Sequence, residues 1–197
     1  ADRGVHVALG HSDATYEEAL ACVNAGADIF VHTYNGMSGL HHREPGMVGA
    51  AMTTHGTYAE AICDGHHLNP IAVRALVNAK GYDHTVLITD CMRAGGMPNG
   101  QYKLGDFPVV VEGGTARLMD ESHSLAGSIL RLFEGVKNVF DWGIVSAEEA
   151  VRMASENPAR SCGIDDVCGF IRPGYDADFI VLDITRRRVR KEERERR

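Results

Sequence analysis

The 197-residue chain has 44% hydrophobic and 24% charged residues, a composition typical of a globular protein that can bury a core. Its formal net charge of −7 argues against general nucleic-acid binding, and no apolar stretch reaches membrane-spanning length. The five cysteines lack CxxC spacing and no secretory signal opens the chain. We therefore expect a reducing, cytoplasmic location without a disulfide framework.

Strands and helices are predicted to alternate through the first hundred residues. Four short apolar runs are typical of buried strands, at residues 5–9, 27–31, 58–63 and 85–89. Helices are predicted between them, at residues 15–25, 46–53 and 69–80. Thr15 and Glu18 fit a capping box, and Asn69-Pro70 fits an N-cap followed by Pro at the first helical position. This alternation predicts a parallel sheet with crossover helices, and four such units are half of a (β/α)₈ barrel.

The pattern changes after residue 100. Three short strands separated by Gly and Pro turns are predicted at residues 102–104, 109–111 and 116–118. Two helices follow at residues 127–142 and 146–156, and a final strand is predicted at residues 178–182. The tail from residue 186 carries seven Arg and one Lys against three Glu without apolar periodicity, so we expect it to be disordered.

Three of the predicted strands end in a residue that can bind metal or transfer a proton. His11 follows the first strand, His32 the second and Asp90 the fourth. The carboxyl ends of parallel strands meet at one edge of a sheet, where α/β barrels keep catalytic groups. Neighbouring strands are about 4.8 Å apart, so the two imidazoles can share one metal ion, and zinc favours such ligands. No third protein ligand is evident.

Asp90 is the candidate general acid and base, because its carboxylate can take a proton from water and return it to a leaving group. The third strand leads into Asp64-Gly65-His66-His67. Either histidine can bind substrate or polarise a carbonyl, and the spacing does not choose between them.

The long polar loop after His32 contains Asn35 and Arg43, which are candidates for binding a polar or phosphorylated substrate. Arginine matches phosphate through its planar fork of N–H donors. Alternatively, Arg43 forms a surface ion pair with Glu44 or another acid. The residues alone weigh these two interpretations about equally.

Several motifs occur together and in order between residues 5 and 183. They are Gly10-His11-Ser12-Asp13-Ala14, His32-Thr33-Tyr34-Asn35-Gly36-Met37, Arg43-Glu44-Pro45-Gly46, Asp64-Gly65-His66-His67, Thr89-Asp90-Cys91-Met92, Leu125-Ala126-Gly127-Ser128, Glu156-Asn157-Pro158-Ala159 and Gly174-Tyr175-Asp176-Ala177-Asp178-Phe179. As a set they closely resemble the N-acetylglucosamine-6-phosphate deacetylase family of the amidohydrolase superfamily. The last two motifs occur across the superfamily and are less specific.

The resemblance implies an α/β fold, with the carboxy-terminal half of a (β/α)₈ barrel and part of a small β-sandwich. In this chain we expect barrel units at residues 1–100, parts of the sandwich at 101–120 and 170–184, barrel-associated helices at 121–169 and a charged tail at 185–197. The implied reaction is metal-dependent hydrolysis of N-acetylglucosamine 6-phosphate to glucosamine 6-phosphate and acetate, in amino-sugar catabolism.

The resemblance also implies roles for individual residues. His11 and His32 match metal ligands, for one zinc ion or alternatively Fe, Mn or Co. Asp90 matches the catalytic acid and base, and His67 rather than His66 matches the substrate histidine.

Other positions match residues that bind the sugar phosphate, namely Asn35, Gly36, Leu125, Ala126 and Gly127. Arg43 matches a phosphate-binding arginine that reaches into the neighbouring subunit's site. A homodimer acting on a small sugar phosphate is therefore implied, without nucleic-acid or membrane partners.

The chain also departs from the family pattern. The family's metal-binding glutamate and carbonyl-polarising histidine lie in the amino-terminal half, and nothing here matches either. Cys91 stands where alanine is common. Two alternatives follow: another amidohydrolase, such as a deaminase or cyclic amidase, or a catalytically incomplete half-barrel. The phosphate-binding positions argue against the first, because those reactions need no phosphate clamp.

Overall fold

The computed structural model describes residues 3–183 and begins with a four-stranded parallel sheet. Its strands, in sheet order, are β1 (Ala8–Leu9), β2 (Ile29–Phe30), β3 (Tyr58–Ile62) and β4 (Thr85–Ile88). Ala8 pairs with Ile29, and Ala59 pairs with Thr85. All four carboxyl ends therefore lie at one edge of the sheet, and the parallel α/β class predicted from sequence is confirmed.

Three helices connect these strands: α1 (Tyr16–Asn24), α2 (Gly46–Thr53) and α3 (Pro70–Lys80). Thr15 caps α1 in a full capping box, accepting from the Glu18 N–H while the Glu18 side chain accepts from the Thr15 N–H. Asn69 caps α3 by accepting from the Ile71 N–H, and Pro70 occupies the first turn, where no N–H is needed. Both caps agree with the sequence prediction.

The core between the sheet and its helices is built from small and branched side chains. Ala59 and Ala61 of β3 pack in one cluster with Leu87 of β4 and with Val73 and Leu76 of α3. Full burial of a Val or Leu side chain stabilises a fold by about 1.5–3 kcal/mol. This packing fixes the central strands and, with them, the residues that follow their ends.

A second, antiparallel sheet contains β5 (Gly100–Leu104), β6 (Phe107–Glu112) and β7 (Thr115–Leu118). Gly113 and Gly114 connect β6 to β7 with φ of 59° and 82°, as a two-residue hairpin turn with two positive φ angles requires. Val109 of this sheet packs with Met92 and Ala94. The second sheet therefore covers the segment that follows β4.

The remaining helices are α4 (Leu132–Asp141), α5 (Ala147–Ala154) and α6 (Glu156–Ser161). Ser146 and Glu149 form the capping box predicted for α5. Asn157 is only 1% exposed, and its side-chain amide donates to the carbonyls of Tyr82 at 2.7 Å and Thr85 at 2.8 Å. Those bonds tie α6 to the start of β4.

Several element boundaries differ from the sequence prediction. The first strand covers residues 8–9 instead of 5–9, and the helix predicted from residue 127 begins at Leu132. In the intervening segment Ser128 bonds to the turn after β4 instead of to a helix. Residues 156–161 form a separate helix because Ser155, with φ −129° and ψ −66°, interrupts the helical path.

The prediction of a strand at residues 178–182 was wrong, because residues 176–183 form neither helix nor strand. The alternation of apolar residues there has no neighbouring strand to pair with in the described part of the chain, and Val181 is 97% exposed. The sandwich part expected at 170–184 therefore lacks this strand, and a half-barrel with a sandwich stays a prediction. The predicted tail at 185–197 lies outside the described residues. Within residues 3–183, no helix combines the length and apolar character needed to cross a membrane.

Candidate functional site

The residues after β1, β2 and β4 share an unusual backbone conformation. His11, His32 and Asp90 have φ of 46°, 28° and 48°, in the left-handed region that non-glycine residues rarely occupy. Each such residue costs about 1–3 kcal/mol and persists where the surrounding structure holds it, frequently at functional sites. The sheet edge that the sequence marks as a site is thus also where backbone strain is concentrated.

His11 and His32 lie together at this edge, as the sequence predicts. Their Nε2 atoms are 2.9 Å apart, and the rings meet edge to face with centroids 4.6 Å apart. Gly36 packs against this pair: a Cβ atom there would lie 2.9 Å from Nδ1 of His11, and its φ is 62°. Glycine at this position therefore allows the loop to approach the imidazole.

The imidazole pair fits two ligands of a divalent metal. Two nitrogen lone pairs at 2.9 Å repel each other unless they share a proton or a cation, and imidazole nitrogen is a common zinc ligand. The Nδ1 atom of His32 is buried without a hydrogen-bond partner in the described residues. No group of three or more His, Cys, Asp or Glu side chains that could hold a metal occurs in residues 3–183. The described residues therefore offer two of the three protein ligands that a catalytic zinc usually has.

Glu60 on β3 is a half-buried carboxyl at the same edge that the sequence analysis missed. Burial raises its pKa, the backbone N–H of His32 opposes that rise, and the nearby Asp90 carboxylate adds to it. The Glu60 carbonyl also accepts from the Thr33 N–H at 2.8 Å. An acidic residue between two alanines, inside a run predicted to be a buried strand, was the sequence signal that could have identified it.

His67 is held by Asp64 at the end of β3. The His67 Nδ1 lies 2.6 Å from one Asp64 oxygen, while the other oxygen accepts the backbone N–H groups of His66 and His67 at 2.8 Å. Burial raises the pKa of Asp64, but these hydrogen bonds outweigh it and leave the pKa below its usual value. The Nδ1 of His67 is therefore occupied, and Nε2 is the nitrogen available to another group. The sequence analysis did not assign this role to Asp64.

The other histidine of that motif points elsewhere. A Cβ atom on Gly114, in the turn of the second sheet, would lie 3.5 Å from Nε2 of His66. The His66 residue is exposed, whereas the His67 side chain is only 6% exposed. The two candidates that the sequence left open thus have different surroundings.

The segment containing Leu125, Ala126 and Gly127 runs between the second sheet and Asp90. The Ala126 N–H donates to the carbonyl of Ala116 on β7 at 3.0 Å. Gly127 has φ 60°, and a Cβ atom there would lie 3.0 Å from the Asp90 carbonyl oxygen. This close approach brings the predicted sugar-binding loop to the predicted acid–base residue.

Asn35 and Arg43 are placed differently from one another. The Asn35 side-chain amide donates to the His32 carbonyl at 3.2 Å, which keeps it beside the metal-ligand candidates. Arg43 is exposed, and its Nη1 lies 2.7 Å from Nε2 of His42. Within residues 3–183 it forms no ion pair with Glu44 and no side-chain hydrogen bond to another predicted site residue.

Comparisons with known proteins agree on a family. The chain is 46% identical over 181 residues to an N-acetylgalactosamine-6-phosphate deacetylase of Escherichia coli O157:H7, covering 92% of this chain and 47% of that protein. It is 48% identical over 179 residues to an N-acetylglucosamine-6-phosphate deacetylase of Vibrio furnissii, covering 91% of this chain and 44% of that protein. The chain thus spans about half the length of these curated relatives.

A solved structure shows the same fold. The crystal structure of N-acetylglucosamine-6-phosphate deacetylase from Thermotoga maritima superposes with a TM-score of 0.85 at 37% identity, over 92% of this chain and 49% of that one. The amidohydrolase family model matches residues 1–193, nearly the whole chain. On this evidence the chain belongs to the amidohydrolase family.

Proposed function

We propose that this chain supplies one side of the active site of a metal-dependent deacetylase that hydrolyses N-acetylglucosamine 6-phosphate to glucosamine 6-phosphate and acetate. The observation that carries this proposal is the His11–His32 pair, with Nε2 atoms 2.9 Å apart, at the same sheet edge as Asp90. Free cysteines throughout the chain are consistent with action in the cytoplasm.

His11 and His32 would hold one divalent metal, zinc or alternatively Fe, Mn or Co. A catalytic zinc usually has three protein ligands, so a further ligand is expected from residues beyond the described part. When bound, such a metal supplies Lewis acidity for the acetamide carbonyl.

Asp90 would act on the protons of the reaction. Its carboxylate accepts a proton from the attacking water as the new carbon–oxygen bond forms, and then gives that proton to the sugar nitrogen as the carbon–nitrogen bond breaks. Acetate and the free amine are the products. Its position beside the loop containing Gly127 supports this role, because that loop is expected to line the sugar pocket.

His67, Asn35, Gly36 and the loop residues 125–127 would bind the sugar. Asp64 holds Nδ1 of His67, so Nε2 is presented to a hydroxyl, carbonyl or phosphate oxygen. Arg43 would bind the 6-phosphate of the neighbouring subunit's substrate in a homodimer. Its exposure leaves the guanidinium accessible to a second subunit.

The second candidate substrate is the 4-epimer, N-acetylgalactosamine 6-phosphate. One of the two relatives described above carries that name, at an identity within a few per cent of the other. Both sugars contain the same acetamide and phosphate groups, so the same metal, acid–base and phosphate roles apply. A deaminase or cyclic amidase is less favoured, because those reactions give Arg43 no phosphate to bind.

The experiment is acetate release with added zinc, measured for both sugar phosphates. It uses this chain alone and a chimera, in which the amino-terminal half of the Vibrio furnissii relative precedes this chain. We expect the chimera to release acetate, and the ratio of kcat/KM for the two sugars to identify the substrate. A folded chimera that binds zinc but releases no acetate from either sugar would overturn the proposal.

A further inference from the structure

Ser128 is a buried residue, 2% exposed, next to the turn after β4. Its Oγ donates to the Thr89 carbonyl and accepts from the Leu130 N–H at 3.0 Å. Its backbone N–H donates to the Asp90 carbonyl at 2.8 Å, and its carbonyl accepts from the Met92 N–H at 2.9 Å. A single residue thus makes four hydrogen bonds, three of them to the turn that carries Asp90.

These bonds act on a strained piece of backbone. Asp90 has φ 48°, a conformation that a non-glycine residue keeps only where its surroundings hold it. The Ser128 bonds hold the peptide groups on both sides of Asp90: the hydroxyl donates to the Thr89 carbonyl, and the backbone N–H donates to the Asp90 carbonyl. Gly127 makes this possible, because a Cβ atom there would lie only 3.0 Å from the Asp90 carbonyl oxygen.

We propose that Ser128 is a positioning residue. It fixes the direction of the Asp90 carboxylate and holds the loop at residues 125–127 beside Asp90. The inference rests on the proposed function, because it takes Asp90 as the acid–base group. Ser128 itself touches no reacting atom. It acts through the backbone on both sides of Asp90, and the three bonds to that turn join the acid–base residue to the sugar-binding loop.

Ser128→Ala tests the proposal in the chimera, with Ser161→Ala as the matched control. Ser161 is also a buried serine, 4% exposed, whose hydroxyl donates to the Pro158 carbonyl at 3.0 Å within α6, away from the site. Displacing a catalytic group by about 1 Å can lower the rate by about a hundredfold. We expect Ser128→Ala to lower kcat about ten- to hundredfold, and Ser161→Ala to leave kcat unchanged.

A double variant separates positioning from general damage. If Ser128 acts through Asp90, adding Ser128→Ala to Asp90→Asn should lower kcat little further, because the group being positioned is already lost. If Ser128→Ala lowered kcat by the same factor in the wild-type chimera and in the Asp90→Asn chimera, the inference would be overturned. Ser128→Cys, which keeps a weak donor of similar size, should recover part of kcat and guards against a serine-to-alanine variant that fails to fold.

Amide hydrogen exchange tests the same contacts in this chain without any activity. Ser128→Ala keeps the two backbone bonds and removes the two bonds of the hydroxyl, one of which accepts the Leu130 N–H at 3.0 Å. It should therefore speed exchange of the Leu130 N–H by about tenfold or more as the segment opens locally. The Thr33 N–H, which donates to the Glu60 carbonyl at 2.8 Å, is the control and should not change. Unchanged Leu130 exchange would contradict the inference. Faster exchange together with an unchanged kcat would show that Ser128 has a structural role only. An Asp90→Asn chimera that remained active would instead contradict the acid–base role of Asp90.

Discussion

The Nε2 atoms of His11 and His32 lie 2.9 Å apart although the residues follow different strands. The parallel register between β1 and β2, in which Leu9 pairs with Phe30, brings the two strand ends level. Each histidine then turns through a positive φ. The strand register and the two positive φ angles together bring the two imidazoles into contact.

This chain alone should bind zinc weakly, because two histidines are an incomplete ligand set. A mild chelator should remove the metal, and the chimera should hold it more tightly. His32→Ala should abolish binding in a zinc titration, whereas His55→Ala, which changes an exposed histidine, should not. Stoichiometric zinc that resists the chelator in this chain alone would show that a third ligand lies within it.

Asp64→Asn should destabilise the chain and weaken substrate binding. The amide can replace only part of the carboxylate, which accepts from two backbone N–H groups and from His67, and each lost partner costs about 1–3 kcal/mol. Urea unfolding measures the loss. Asp83→Asn is the control, because the Asp83 side chain is 60% exposed and pairs with the partly exposed His84, at 3.3 Å.

The contribution of Asp64 should depend on pH in a defined direction. Its pKa is lower in the folded chain than the usual 3.8, so the folded state binds fewer protons as that group titrates. The stabilisation is therefore present above pH 3.8 and is lost as the pH falls through the lower folded value. Urea unfolding of the wild type and Asp64→Asn should converge in acid. A stability difference that stays constant down to acid pH would contradict this account.

Because of Lys80, the free energy of unfolding should increase as the pH rises from about 8 to 10.5. Its Nζ donates to the Thr54 carbonyl and the Thr57 hydroxyl, both at 2.6 Å, without an acidic partner in residues 3–183. Burial lowers its pKa from 10.5 to about 8. Between these values the unfolded chain holds a proton that the folded chain lacks, so stability rises with pH.

The comparison for Lys80 is between the wild type and Lys80→Met, by urea unfolding across that pH window. The wild type should gain stability relative to the variant as the pH rises. Lys103→Met, which changes an exposed lysine on β5, should show no such trend relative to the wild type. A parallel pH dependence in wild type and Lys80→Met would rule out Lys80 as the source.

Arg43→Ala in the chimera should raise KM for the sugar phosphate and barely affect the unphosphorylated sugar. A charged hydrogen bond is worth roughly 1.5–3 kcal/mol, or about a ten- to hundredfold change in KM. The matched control is Arg93→Ala, which changes an exposed-loop arginine near Asp90 that has no predicted phosphate role. An equal rise in KM for the phosphorylated and the unphosphorylated sugar would contradict the phosphate role of Arg43.

Mixing subunits tests whether Arg43 acts across a dimer interface. Asp90→Asn subunits combined with Arg43→Ala subunits should regain activity, because one site of the hybrid combines an intact Asp90 with an intact Arg43 from its neighbour. Hybrid formation is checked by size and differential tagging. Hybrids that form but remain inactive would place Arg43 in its own subunit's site.

Local sequence signals predicted much of this fold. The caps at Thr15, Asn69 and Ser146 were predictable because each depends on residues within three positions of itself. The strand ends at His11 and His32 were predictable because an apolar run stops there. Both kinds of signal are local, and both agree with the structure.

Features that depend on distant contacts were not predictable in this way. Ser128 bonds to Asp90, 38 positions earlier by residue number, and that bond replaces the predicted start of α4. The apolar alternation at residues 178–182 predicted a strand, yet no partner strand lies beside it in the described residues. Strand propensity needs a pairing partner, which periodicity alone does not supply.

The central claim is that Asp90 transfers the proton in a metal-dependent hydrolysis at this sheet edge. Its most direct test is the turnover number of Asp90→Asn in the zinc-loaded chimera, with acetate release from N-acetylglucosamine 6-phosphate as the readout. Asn keeps the shape but accepts no proton, and general acid–base catalysis contributes about 10²–10⁴-fold. We predict a loss at the upper end of that range with nearly unchanged substrate binding. Retention of more than about a tenth of wild-type turnover, far short of the expected loss, would contradict the claim.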